Sequence, residues 1–108
     1  MEKPSITDIP LIESVSRRWS PRAFAETPVS EAHLRQLLEA ARWAPSCFNA
    51  QPCAFIIGTQ DTPETFRKLS ECLVPVNQAW APKAPVLMLA LAELNFAHNG
   101  KPNRHAQH

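Results

Sequence analysis

An α/β-type layered fold, helices set against a small sheet, is predicted for this 108-residue chain on three observations. Residues 54–58 and 85–91 are continuously apolar over strand length, which is the pattern of strands covered on both faces. Leu34, Leu37, Leu38 and Ala41 recur at the spacing of a helix with one apolar stripe. Helical patterns also lie between the two strand-like runs, so strands and helices are interleaved.

The elements follow in order. Thr7 or Asp8 is expected to cap a first helix, with Pro10 in its first turn and Ile9, Ile12 and Val15 along one side. Pro21 disfavours helix at Ser20 and stops it. Ser30 is the expected cap of a second helix that carries the leucine stripe to about Trp43, where Pro45 ends it. Residues 54–58 form the first buried strand. Thr62, Pro63 and Glu64 open a third helix with Phe66, Leu69 and Leu73 on one face. Residues 76–81 form a shorter helical piece, and residues 85–91 a second buried strand. From Asn95 onward the chain turns polar, and this tail is expected to be mobile. Two strands alone make a marginal sheet.

Charge narrows the function. Eleven basic and ten acidic side chains leave a formal charge of +1, so no global field draws the chain to nucleic acid or an anionic membrane. The longest apolar run is far short of the roughly 20 residues that cross a bilayer. The amino terminus lacks an export signal, and the cytoplasm is the expected location. Cys47, Cys53 and Cys72 are read as reduced thiols, with a disulfide between Cys47 and Cys53 left open. His33, His98, His105 and His108 are read as solvated, and no metal site is expected. Neither Gly58 nor Gly100 belongs to a phosphate-binding glycine loop, which disfavours a Rossmann or P-loop site.

Three short segments carry candidate chemistry. Residues 17–24 set Arg17, Arg18 and Arg22 around Ser20 at a helix end, the chemistry of a phosphate clamp; the alternative is that cations there only complement the helix dipole. Residues 44–53 place Asn49 and Gln51 in a loop between helix and strand, where they address a ligand or satisfy turn backbone. Asn77 and Trp80 precede the second strand; their bland readings are a helix cap and a core aromatic.

The first two segments together resemble the flavin-dependent nitroreductase family, over residues 9–91, and Asn77 with Trp80 is similar to that family's Asn-x-x-Trp turn. The resemblance implies an α+β fold, helices around a central sheet, that forms a homodimer with FMN at its interface. It implies that Arg18, Trp19, Ser20 and Arg22 meet the FMN phosphate and ring edge. Pro45, Ser46 and Cys47 would lie against the flavin of the partner subunit, with Asn49 nearby. Asn77 would bond the ribityl chain or pyrimidine edge beside Trp80. The implied activity is ping-pong reduction of nitroaromatics, quinones or similar acceptors by NAD(P)H, with the hard chemistry on the cofactor and no catalytic acid or base assigned. Cys47 stands where the family usually has Ser, and Cys53 where it has Trp; Cys47 is not read as a nucleophile. Because the family is longer, residues 1–108 are expected as one partial domain, apparently truncated after the second strand, whose polar tail (95–108) leads into an absent half. The piece alone is expected to be inactive. The alternative is a non-enzymatic module that docks a partner chain through its apolar helix faces.

Overall fold

The computed structural model describes residues 3–107. Two antiparallel strands, β1 (Cys53–Thr59) and β2 (Val86–Ala92), pair from Cys53 opposite Ala92 to Thr59 opposite Val86. A tight turn leads out of β1: Thr59 N–H donates to Thr62 Oγ1 at 3.0 Å, and Thr62 N–H to the Thr59 carbonyl at 3.1 Å. A helix, α1 (Glu13–Ser16), precedes the sheet, as does α2 (Glu31–Arg42); α3 (Pro63–Glu71) and the one-turn α4 (Pro75–Gln78) lie between the strands. Pro63 opens α3 at a position where a missing N–H removes no helical bond.

The core is the contact between α3 and the sheet. Leu69, only 8% exposed, sits on the strands, and Gly58 is what lets the helix come so close. A β-carbon at Gly58 would lie 2.7 Å from Phe66 Cα and 3.1 Å from Leu69 Cδ1. Ser30 caps α2 as expected, accepting from His33 N–H at 3.2 Å. Glu31–Arg35 and Glu39–Arg42 then pair along its solvent face.

Three expectations are corrected. The first helix is one turn long, without a side-chain cap; Thr7 Oγ1 accepts instead from Ile9 N–H at 3.1 Å in a local turn. Pro10 drives Ile9 toward extended backbone, and Ile9 and Ile12, each 71% exposed, find no surface to repay a longer helix. The strands are also not buried on both faces: α3 covers the Gly58 end, while Phe55, Ile56, Leu89 and Leu91 stay exposed. Finally, the polar tail is docked. Asn95 bridges Pro102, Gly100 turns the chain at φ +68°, and Asn103 and Ala106 are 5% and 2% exposed. Asn103 donates its N–H to the Leu94 carbonyl at 2.8 Å and accepts from His105 N–H at 3.1 Å, so its polar groups are satisfied on burial.

The chain exposes 9131 Å², where a folded monomer of this mass exposes about 6,000 Å². Its radius of gyration, 16.8 Å, likewise exceeds the roughly 13 Å of a compact domain of this length. Large apolar side chains are among what is exposed, including Ile6, Ile9, Ile12, Leu37, Phe48 and Val76.

Candidate functional site

The carboxyl end of α1 delivers the basic segment. Arg17 closes the helix by donating its N–H to the Glu13 carbonyl, and its guanidinium meets the Glu13 carboxylate at 2.6 Å. Arg18 and Arg22 differ. Both are exposed, and among the described residues neither has a carboxylate partner. Arg18 Nη1 makes one long contact, 3.4 Å, to Ser20 Oγ. Dipole complementation accounts for Arg17 better than for the two arginines beyond the helix.

Phe24 ties this segment to the third one. Its ring stacks on Trp80, with centroids 6.1 Å apart and planes 16° from parallel, and Trp80 Nε1 donates to Asn77 Oδ1 at 3.3 Å. Asn77 is not a helix cap, since Val74 occupies that position in α4. Both Asn77 and Trp80 are half-buried. Phe24, outside the expected set, is therefore the physical link between residues 18–22 and 77–80. An aromatic two residues beyond Arg22 was the only signal that could have marked it.

The loop after α2 is held in strained backbone. Phe48, Asn49 and Gln51 have φ of 52°, 53° and 46°, the non-glycine residues of positive φ among those described. Asn tolerates that region; Phe and Gln each cost on the order of 1 kcal/mol or more there. Ser46 helps fix the loop: its carbonyl accepts from Asn49 N–H at 2.9 Å and its Oγ from Gln51 N–H at 3.0 Å. Strain and tethers together aim Pro45, Ser46 and Cys47 into a groove of about 540 Å³. Leu38, Ala41 and Arg42 of α2 form one wall, Cys53 and Phe55 of β1 another, and His105 reaches in from the tail. Asn49 is exposed and outside the lining, whereas Gln51, Cys53 and Arg42 belong to it.

At the rim, Glu39 accepts from Arg42 Nη2 at 2.7 Å and Nε at 3.0 Å, and from Trp43 Nε1 at 2.9 Å. The Arg42 bonds first, then the Trp43 bond, hold its carboxyl down at about 2.

The expected residues thus do not share one cavity. Arg18 contacts Ser20, and Phe24, two residues beyond Arg22, packs on Trp80, which holds Asn77. Pro45, Ser46 and Cys47 line a different groove. Trp19, half-buried, faces a third space of about 480 Å³ with Pro4, Glu13, Ser14 and Arg17, and its ring carries Lys3 Nζ at 5.5 Å. The Trp19 space and the groove beside Ser46 share no lining residue. No cluster of metal-ligating side chains occurs among the described residues, nor any helix long and apolar enough to cross a membrane.

Comparison with known proteins places this geometry. The chain is 36% identical over 87 residues to an FMN reductase [NAD(P)H] of Bacillus subtilis, covering 81% of this chain and 33% of that protein. It is 40% identical over 81 residues to an NADH dehydrogenase of Thermus thermophilus, covering 75% of this chain and 38% of that one. The chain therefore spans little more than a third of the length of these relatives. A solved structure described as an oxidoreductase containing FMN superposes with a TM-score of 0.82 at 35% identity, over 92% of this chain and 51% of that one. The α+β arrangement of helices about an antiparallel strand pair is common to both. With the Nitroreductase family model matching residues 15–106, the chain belongs to the nitroreductase family.

Proposed function

We propose that this chain supplies one side of an FMN site in an NAD(P)H-dependent oxidoreductase. The observation that carries the reading is the pair Arg18 and Arg22, exposed and, among the described residues, without carboxylate partners, in a segment whose Phe24 packs on Trp80 beside Asn77. This donor set fits the group: two guanidinium forks and a hydroxyl for a phosphate dianion, and a half-buried amide for a polyol or pyrimidine edge. A guanidinium at the ring edge also favours the reduced, more negative flavin. When bound, FMN supplies the electron transfer from NAD(P)H to a nitroaromatic, quinone or related small acceptor in alternating half-reactions.

The chain's own residues bind, orient and exclude water. Trp80, held by Asn77 and packed on Phe24, gives the amide a fixed direction. The strained loop presents Pro45, Ser46 and Cys47 as a separate wall, which supports a homodimer in which this wall meets the flavin held by the partner subunit. The uncovered apolar surface supports the same reading, and it also accommodates the alternative of a non-enzymatic module docked on a partner chain. Three free cysteines suit a reducing compartment such as the cytoplasm.

Titration with FMN, followed by quenching of flavin fluorescence, tests the reading. Arg18→Ala and Arg22→Ala should each weaken binding by about 10- to 100-fold, the worth of a hydrogen bond to a charged group. Unchanged affinity in both variants would remove the cofactor assignment and leave the interaction module.

A further inference from the structure

The two positions at which the chain departs from the family's usual residues, Cys47 and Cys53, open onto the same groove. Cys47 is half-buried at the start of the loop turn and Cys53 is exposed at the first residue of β1; both are free thiols. The chain between them holds Phe48, Asn49 and Gln51, all at positive φ, and is tied by short-range bonds to Ser46 and Cys47 and by the edge-on contact of Phe48 with Phe96. A segment that stores strain between two fixed ends can rearrange locally without unfolding β1, whose start is anchored by Glu93 N–H donating to the Pro52 carbonyl at 2.9 Å.

We propose that Cys47 and Cys53 are a reactive dithiol that closes to a disulfide across this groove when the chain meets a low-molecular-weight disulfide. The exposed Cys53 thiolate attacks one sulfur of the small disulfide, forming a mixed disulfide and expelling one small thiol. Cys47 then attacks the Cys53 sulfur, the protein disulfide forms, and the second small thiol leaves. The two protein thiols are oxidised, the small disulfide is reduced to two thiols, and two protons are carried by the leaving groups. Closure requires the two Cα atoms within about 4.4–6.8 Å, a movement that the loop at 48–51 absorbs. Cys72, also exposed but on the far side of α3 in sequence and absent from the groove, lacks a partner there and serves as the internal control. The inference needs no flavin and stands apart from the cofactor reading.

The test treats the reduced, flavin-free protein with oxidised glutathione, then blocks the remaining thiols and maps every cysteine by mass spectrometry. The expected product has Cys47 and Cys53 joined, two hydrogens lighter, with Cys72 either blocked or carrying glutathione. Cys47→Ser should instead retain glutathione on Cys53, and Cys53→Ser should retain it on Cys47. Cys47 and Cys53 each carrying a stable glutathione adduct in the unmutated protein, or both remaining reduced while Cys72 reacts, would overturn the proposal.

Discussion

Replacing Gly58 with alanine probes the close contact between α3 and the sheet. The added β-carbon would lie 2.7 Å from Phe66 Cα and 2.9 Å from Phe66 N, whereas carbon atoms pack comfortably at about 3.5–4.0 Å. The obstacle is helix backbone, which cannot rotate aside, so α3 must move about 1 Å from the sheet and loosen Leu69. Overpacking of this kind costs about 1–3 kcal/mol. At about 4–8 °C per kcal/mol for a chain near this size, thermal unfolding followed by circular dichroism should fall by roughly 5–20 °C. Gly100→Ala is the contrast. Its β-carbon meets nothing within 4 Å, and only the φ of +68° resists substitution, so the loss should be near 1 kcal/mol. A Gly58→Ala protein that melts with the parent, or Gly100→Ala as the more damaging change, would refute the packing argument.

Other outcomes follow from the same structure. Ser30→Ala removes the acceptor for His33 N–H and should cost about 1 kcal/mol, read as a lower urea midpoint at unchanged slope. Glu39, held at about 2 against an ordinary 4.5, should keep its bond to the Trp43 indole down through pH 4.5 and lose it as pH falls through about 2. Its stabilising effect is therefore present above the ordinary value and vanishes at strongly acid pH. The Trp43 indole N–H resonance should move with a midpoint near 2; a midpoint near 4.5 would show that the Arg42 and Trp43 bonds do not hold in solution.

Much of the chain was legible from local rules, and the exceptions share a cause. Ser30, Pro63 and Pro45 mark their boundaries because capping and the missing proline N–H act within one turn. Leu69 was placed correctly because a single helix face meets a single sheet. The length of α1 was not legible, since Ile9, Ile12 and Val15 have the right spacing but no surface to cover them. The exposed strands misled for the same reason: continuous apolar runs announce two covering layers, and this chain supplies part of one. Asn103 and Ala106 were hidden by composition, because a polar tail docks through turn bonds that no hydrophobic pattern reveals. At the candidate site, Asn49 is a residue suited to positive φ, whereas nothing about Phe48 or Gln51 announces it. The arginine segment and the Asn77 turn were each visible, but their union through Phe24 and Trp80 is tertiary and had no local signature.

The reading depends above all on Arg18 and Arg22 gripping a phosphate. Calorimetric titration of the protein with FMN and, in parallel, with riboflavin, which lacks only that group, measures this directly. The account predicts that FMN binds about 10- to 100-fold more tightly and that the difference collapses in Arg18→Ala, Arg22→Ala. Equal affinity for the two flavins in the unmutated protein would contradict it.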